Sequence, residues 1–104
     1  MKLITKELEG QIPKLYSTEN IPNEDKVFVV KFFTPDSNWT WYVVEGEQRE
    51  DDWLFFGYVE GFEQEWGYFK LSELMKARGP LGLEVERDIH WKPTKYCDVM
   101  RREV

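Results

Sequence analysis

The residues best suited to chemistry lie in the segment Glu86-Arg87-Asp88-Ile89-His90, which contains the one histidine of the chain. In an extended strand, Glu86, Asp88 and His90 would project to the same side, because successive side chains alternate between two faces. Two carboxylates and an imidazole could bind a divalent metal ion, or Asp88 could orient His90 as a general base. The same positions also fit the solvated face of an amphipathic strand. The segment therefore predicts either a small enzyme or metal-binding protein, or a strand face without chemical function.

Arg87 interrupts a row of apolar residues that alternates with this polar face (Leu81, Leu83, Val85, Ile89 and Trp91). A guanidinium group that faces a core must meet a carboxylate or several carbonyl oxygens, since unpaired burial is costly. We expect an internal salt bridge, to Asp36 or to an acid from the middle of the chain. The functional alternative is a clamp for an anion or a substrate at the sheet edge.

The acidic residues are concentrated in the middle of the chain. The 104 residues carry a net charge of −6, and residues 45–73 alone contribute −7, against −1 before them and +2 after them. Fourteen of the 17 aromatic residues lie between Phe28 and Phe69, so rings and carboxylates share this region. A small domain cannot bury all of its tryptophans, and an accessible ring beside acids is typical of a protein-binding surface. The predicted surface comprises Glu45, Glu47, Asp51, Asp52, Trp53 and Trp66.

This acidic region has two further interpretations. Its carboxylates could imitate nucleic-acid phosphates and inhibit a host nucleic-acid enzyme, or they could belong to an ordinary solvated loop. A single-stranded nucleic-acid binder that stacks bases on Trp39, Trp41 and Tyr42 is a third class of function, although the acidic surroundings oppose it. We expect a non-enzymatic binding module with a protein partner.

Other features restrict the class of protein. No glycine-rich phosphate loop precedes a helix, so a nucleotide site is not predicted, and no cofactor is expected. A lone cysteine, Cys97, allows no internal disulfide and agrees with a cytoplasmic location. The chain contains no apolar run long enough for a membrane helix.

Periodicity and turn residues predict a single α+β domain over residues 1–104. A helix begins after the N-cap Thr5 and ends near residue 11 or 12, where Pro13 follows. Strands are expected at 26–33, 39–44, 53–59 and, more briefly, 68–69, with a charged connection at 45–52. A second helix should run from the N-cap Ser72 to Arg78, and residues 81–92 should be extended. The expected fold is a mainly antiparallel sheet of four to five strands with two short helices on one face.

Several long strings of the sequence are similar to one family. They are KFFTPDSNWTWY at residues 31–42, LFFGY at 54–58, GYFKLSEL at 67–74, RGPLGL at 78–83 and ERDIHWKP at 86–93. The chain thus resembles a family of short bacterial single-domain proteins classed as a domain of unknown function. The resemblance implies a small cytoplasmic protein carried on plasmids, phages and integrative elements, with a role in element maintenance, transfer or counter-defence. It implies no functional residues.

Overall fold

Over the part of the chain that the structure describes, the fold is an antiparallel sheet of five strands with a second, two-stranded sheet and three short α-helices. The computed structural model describes residues 1–102. In chain order the elements are α1 (Lys6–Gln11), β1 (Val27–Phe28), β2 (Val30–Phe33), β3 (Thr40–Arg49), β4 (Asp52–Glu60), β5 (Gln64–Lys70), α2 (Leu71–Lys76), β6 (Glu86–Arg87), β7 (Thr94–Lys95) and α3 (Tyr96–Arg102). The predicted α+β class is confirmed.

The main sheet has the strand order β5-β4-β3-β2-β6, and β1 pairs with β7 in the small sheet. Strands β3 and β4 form a long central hairpin whose pairing continues to Arg49 opposite Asp52. The predicted charged connection at 45–52 is therefore wrong, because most of these acids lie on the two strands and only Glu50 and Asp51 form the turn. Cross-strand hydrogen bonds extend the ladder through polar positions that local composition would assign to a loop.

Both faces of the main sheet are covered, which explains why β4 is apolar on both sides. The first face carries Phe32, Val43, Phe55 and Phe69, and packs against the N-terminal segment, α2 and Val85. The second face carries Tyr42, Val44 and Tyr58. These side chains form a core with Phe28 of β1 and Val99 of α3. The two predicted helices, α1 and α2, both pack on the first face as expected, and the chain tail adds a third helix, α3, on the second face.

Several predicted boundaries also change. Helix α1 is confirmed, with the Thr5 hydroxyl accepting a hydrogen bond from the Leu8 N–H at 3.3 Å. Helix α2 starts after Lys70 rather than Ser72 and ends at Lys76 rather than Arg78, because Ala77 already has extended backbone angles. Only Glu86–Arg87 of the predicted strand at 81–92 pairs with the main sheet. The predicted two-residue strand at 68–69 is instead seven residues long.

None of the helices within residues 1–102 is long and apolar enough to cross a membrane.

Candidate protein interface

The segment Glu86–His90 lies at the outer edge of the main sheet, where β6 pairs with β2. The carboxylate of Asp88 accepts a hydrogen bond from the backbone N–H of His90 at 3.0 Å, which closes a local turn. The side chain of His90 is exposed. Within residues 1–102, no three His, Cys, Asp or Glu side chains are grouped closely enough to hold a metal ion. The contacts of this segment are those of a solvated sheet edge.

Arg87 binds the N-terminal segment of the chain. Its Nη1 donates to the carbonyl oxygens of Lys2 at 2.8 Å and Leu3 at 3.0 Å. The expected salt bridge to Asp36 or to an acid from the middle of the chain is wrong for the described residues, because Nη1 is bound by two carbonyl oxygens instead. These bonds attach the start of the chain to the sheet edge, so Arg87 has a structural role.

Glu45 was predicted to lie on the surface, but its side chain is buried and only 3% of the residue is accessible. Its carboxylate accepts hydrogen bonds from the N–H groups of Tyr16 at 2.7 Å and Thr18 at 2.9 Å, and from the Thr18 hydroxyl. The equally buried Lys26 donates to the Thr18 carbonyl at 2.6 Å. Glu45 therefore holds the loop at residues 13–21 against the sheet and is not available to a partner.

The other acids lie near the β3–β4 turn. Glu47 forms an ion pair with Arg49 at 2.7 Å, and this hydrogen bond raises the pKa of the arginine. Asp51 is exposed in the turn. Asp52 accepts hydrogen bonds from the Ser72 hydroxyl at 2.6 Å and from the Ser72 N–H at 3.0 Å, at the start of α2. The Ser72 hydroxyl is the main cause of a lowered pKa for Asp52, so this acid connects the hairpin to α2.

Asp52 should make stability depend on acid pH. A carboxylate whose pKa is lower in the folded chain stabilises it above the unfolded pKa of about 4, and this contribution is lost as the pH falls through the folded pKa. In Asp52→Asn we expect about 1 kcal/mol lower stability at pH 7 and a weaker decline below pH 4. Urea unfolding across this range measures both effects. Asp51→Asn, in the exposed turn, is the matched control; equal pH profiles for both variants would contradict the assignment.

Trp53 and Trp66 are only half-buried, but both are engaged with neighbouring rings. Trp53 stacks on Phe55 with ring centres 5.9 Å apart. Trp66 packs against Tyr58 and Tyr96 on the second face, at 5.2 Å and 5.1 Å. The predicted residues consequently do not form one surface: they are divided among the β6 edge, the β3–β4 turn, the buried Glu45 network and the second face.

A different aromatic surface lies at the opposite end of the main sheet from the β3–β4 turn. Phe62, in the β4–β5 turn, is 95% exposed. Its ring meets Trp39 nearly at right angles, at 5.5 Å and 85°, and Trp39 stacks on Trp41 at 5.7 Å. With Ala77 and Pro80, these rings line an apolar groove of about 490 Å³. We call it the tip groove.

The side of the tip groove opposite Phe62 is formed by residues 77–80, and Asp36 binds the backbone next to it. Its Oδ2 accepts a hydrogen bond from the N–H of Leu81 at 2.7 Å. Gly79 lies so close to this carboxylate that a Cβ at position 79 would overlap it. The absence of a side chain at Gly79 thus lets the groove wall lie against the β2–β3 turn.

Sequence reasoning found two of the three rings and missed the third. Trp39 and Trp41 were grouped with Tyr42 as a stacking platform, but Tyr42 points to the second face and is 3% exposed. That three-ring platform does not form, because neighbouring residues of a strand face opposite sides. The string Gly61-Phe62-Glu63 could have indicated that Phe62 is exposed, because it places a large ring in a turn where polar residues are usual.

The fold and these contacts define a small α+β protein with both sheet faces covered and an open apolar groove at one end. The chain belongs to the family described as "Protein of unknown function (DUF2958)", whose family model matches residues 3–102. The resemblance to a domain of unknown function is thereby confirmed. Comparisons with curated proteins and with solved structures gave no match.

Proposed function

We propose that this chain is a non-enzymatic protein-interaction module that binds its partner through the tip groove. The observation that carries the proposal is Phe62, a large ring that is 95% exposed and stands directly beside the half-buried Trp39. Aromatic residues next to a groove are typical anchors of protein interfaces, since they bury a large area at low entropic cost.

Simple energetics supports a binding role for this ring. The burial of one phenylalanine side chain contributes about 1.5–3 kcal/mol, and Phe62 obtains almost none of this within its own chain. The groove beside it has room for partner side chains, at about 490 Å³. A partner that covers Phe62 and fills the groove would gain apolar burial on both sides of the ring.

A narrower form of the proposal is inhibition of a host nucleic-acid enzyme. Such enzymes present basic surfaces with aromatic side chains that stack on bases. An exposed ring flanked by the acids Glu63 and Glu65 has the complementary chemical character. Carriage on mobile DNA, which the family resemblance predicts, would suit a counter-defence role of this kind.

Phe62→Ala should abolish partner binding without changing the fold. We expect an unfolding free energy within about 0.5 kcal/mol of wild type, because the side chain is exposed, and a loss of affinity of about 30-fold or more. The measurement is affinity capture from the native host with mass spectrometry, followed by titration of the purified partner.

Tyr68→Ala is the matched control, since Tyr68 is 53% exposed on the second face of the sheet. Its partner set and affinity should equal those of wild type. If Phe62→Ala retains the partners, or if Tyr68→Ala loses them, the tip groove is not the binding surface.

A further inference from the structure

The β4–β5 side of the tip groove carries unpaired negative charge. Glu63 follows Phe62 in the turn, and Glu65 lies in one cross-strand row with Val59 and Trp41 on the first face. Two strand spacings separate Glu65 from Trp41, about 10 Å. Both glutamates are exposed, and neither forms an ion pair within residues 1–102.

The opposite side of the groove carries a cation that is already bound by neighbouring groups of the chain. This cation is Arg78, whose Nη1 donates to the carbonyls of Met75 at 2.9 Å and Ala77 at 2.8 Å. Its Nη2 lies 3.9 Å from Glu84. Asp36 adds a further carboxylate next to Gly79, and its Oδ1 is buried with no hydrogen-bond partner among the described residues. Around the groove, the acids Glu63, Glu65, Asp36 and Glu84 therefore outnumber the lining cation Arg78.

We infer that the tip groove binds a partner segment in which a lysine or arginine stands beside an apolar residue. This inference rests on the proposed function and names the chemistry of the partner. The apolar residue would fill the space between Trp41 and Pro80. The methylene groups of the basic side chain would pack along the Phe62 ring, and its charged group would lie near Glu63 and Glu65.

Two physical reasons favour this occupant over a purely apolar one. An aromatic ring attracts a cation placed over its face, and nearby carboxylates strengthen that attraction. A wholly apolar segment would remove water from the carboxylates without replacing their hydrogen bonds, which costs free energy. An acidic segment would meet like charge.

The first experiment is a selection of random dodecapeptides on the wild-type chain, with counter-selection on Phe62→Ala. We expect groove-dependent peptides to be enriched in lysine or arginine beside an apolar residue. Groove-dependent peptides without that enrichment would overturn the inference and leave the proposed function standing. A selection that yields no groove-dependent peptide would overturn both.

The second experiment is charge reversal, with a selected basic peptide as the probe. The double variant Glu63→Lys/Glu65→Lys should bind it at least about tenfold more weakly than wild type, and added salt should reduce the difference. The matched control is Glu50→Lys/Asp51→Lys, which makes the same charge change at the opposite end of the sheet and should alter affinity less than about twofold. Equal losses in both variants would show that only overall charge matters and would overturn the inference.

Discussion

Glu45→Ala is expected to lower the free energy of unfolding by about 3–5 kcal/mol, a large part of the 5–15 kcal/mol typical of a small domain. The carboxylate of Glu45 is the acceptor for the N–H groups of Tyr16 and Thr18 and for the Thr18 hydroxyl. Its removal leaves the buried N–H and hydroxyl of Thr18 and the partly buried N–H of Tyr16 without this acceptor, and a buried group that loses its partner costs about 1–3 kcal/mol. Urea or thermal unfolding, followed by tryptophan fluorescence, measures the loss.

The buried Lys26 makes this loss larger. Its ammonium group donates to the carbonyl of Thr18 at 2.6 Å and to the hydroxyl at 3.2 Å, so Thr18 links the two charges. Lys26 forms no ion pair among the described residues, so without Glu45 its buried ammonium group would lose the carboxylate that Thr18 links to it. Tyr16 also adopts a positive φ of 70°, a conformation that the hydrogen bond from its N–H to Glu45 helps to maintain.

Glu47→Ala is the matched control for this prediction. Glu47 lies two residues further along the same strand and forms only a half-exposed ion pair with Arg49. Its loss should cost less than about 1 kcal/mol, as for other surface ion pairs. A Glu45→Ala variant as stable as Glu47→Ala would show that the buried network contributes nothing to stability.

Gly57→Ala is expected to destabilise the chain by about 3 kcal/mol or more and to disturb the centre of the sheet. Gly57 pairs with Val43 on one side and Gly67 on the other, beside the irregularity in β3 between Val43 and Glu45. A Cβ at position 57 would overlap the carbonyl oxygen of Tyr42, which is backbone and cannot rotate away. Strand β4 is hydrogen-bonded on both edges, so relief of the clash requires a break in the ladder.

Gly67→Ala tests the same change one strand away. A Cβ at position 67 would have no atom within 4 Å. This variant should be as stable as wild type or more stable by up to about 1 kcal/mol, because alanine reduces the entropy of the unfolded chain. Chemical unfolding of the two variants compares them directly. If Gly57→Ala is as stable as Gly67→Ala, the proposed clash with the Tyr42 carbonyl does not explain the glycine at position 57.

The sequence predicted the elements whose signals are local. Thr5 and Pro13 bracket α1, and the alternating aromatic runs place the strands, since capping, proline geometry and strand periodicity act over a few residues. It failed where tertiary contacts override composition. The composition of the charged stretch after Val44 predicts a loop. It is a strand up to Arg49, because β4 pairs with it as far as that residue. The tail, whose pattern left loop and short helix both open, forms α3 with Val99 buried against the second face.

The site was harder to predict than the fold. A charge count places Glu45 and Asp52 in one acidic surface. In the structure, however, Glu45 binds Thr18 and Asp52 binds Ser72, so both carboxylates stabilise the fold. A salt bridge was expected for Arg87, yet its acceptors are carbonyl oxygens from the N-terminal end of the chain. No spacing in the sequence shows which distant carbonyl oxygens will lie beside a guanidinium group.

By itself, the sequence determined the α+β class, the family and the coexistence of many rings with an excess of acids. These properties follow from composition and short-range pattern. Only the tertiary structure decided which of the acids and rings reach solvent. The loop at residues 13–21 covers Glu45 and Tyr96 of α3 covers part of Trp66, while the β4–β5 turn leaves Phe62 exposed beside Trp39. Exposure depends on what the rest of the chain places over a residue, and that is a property of the fold as a whole.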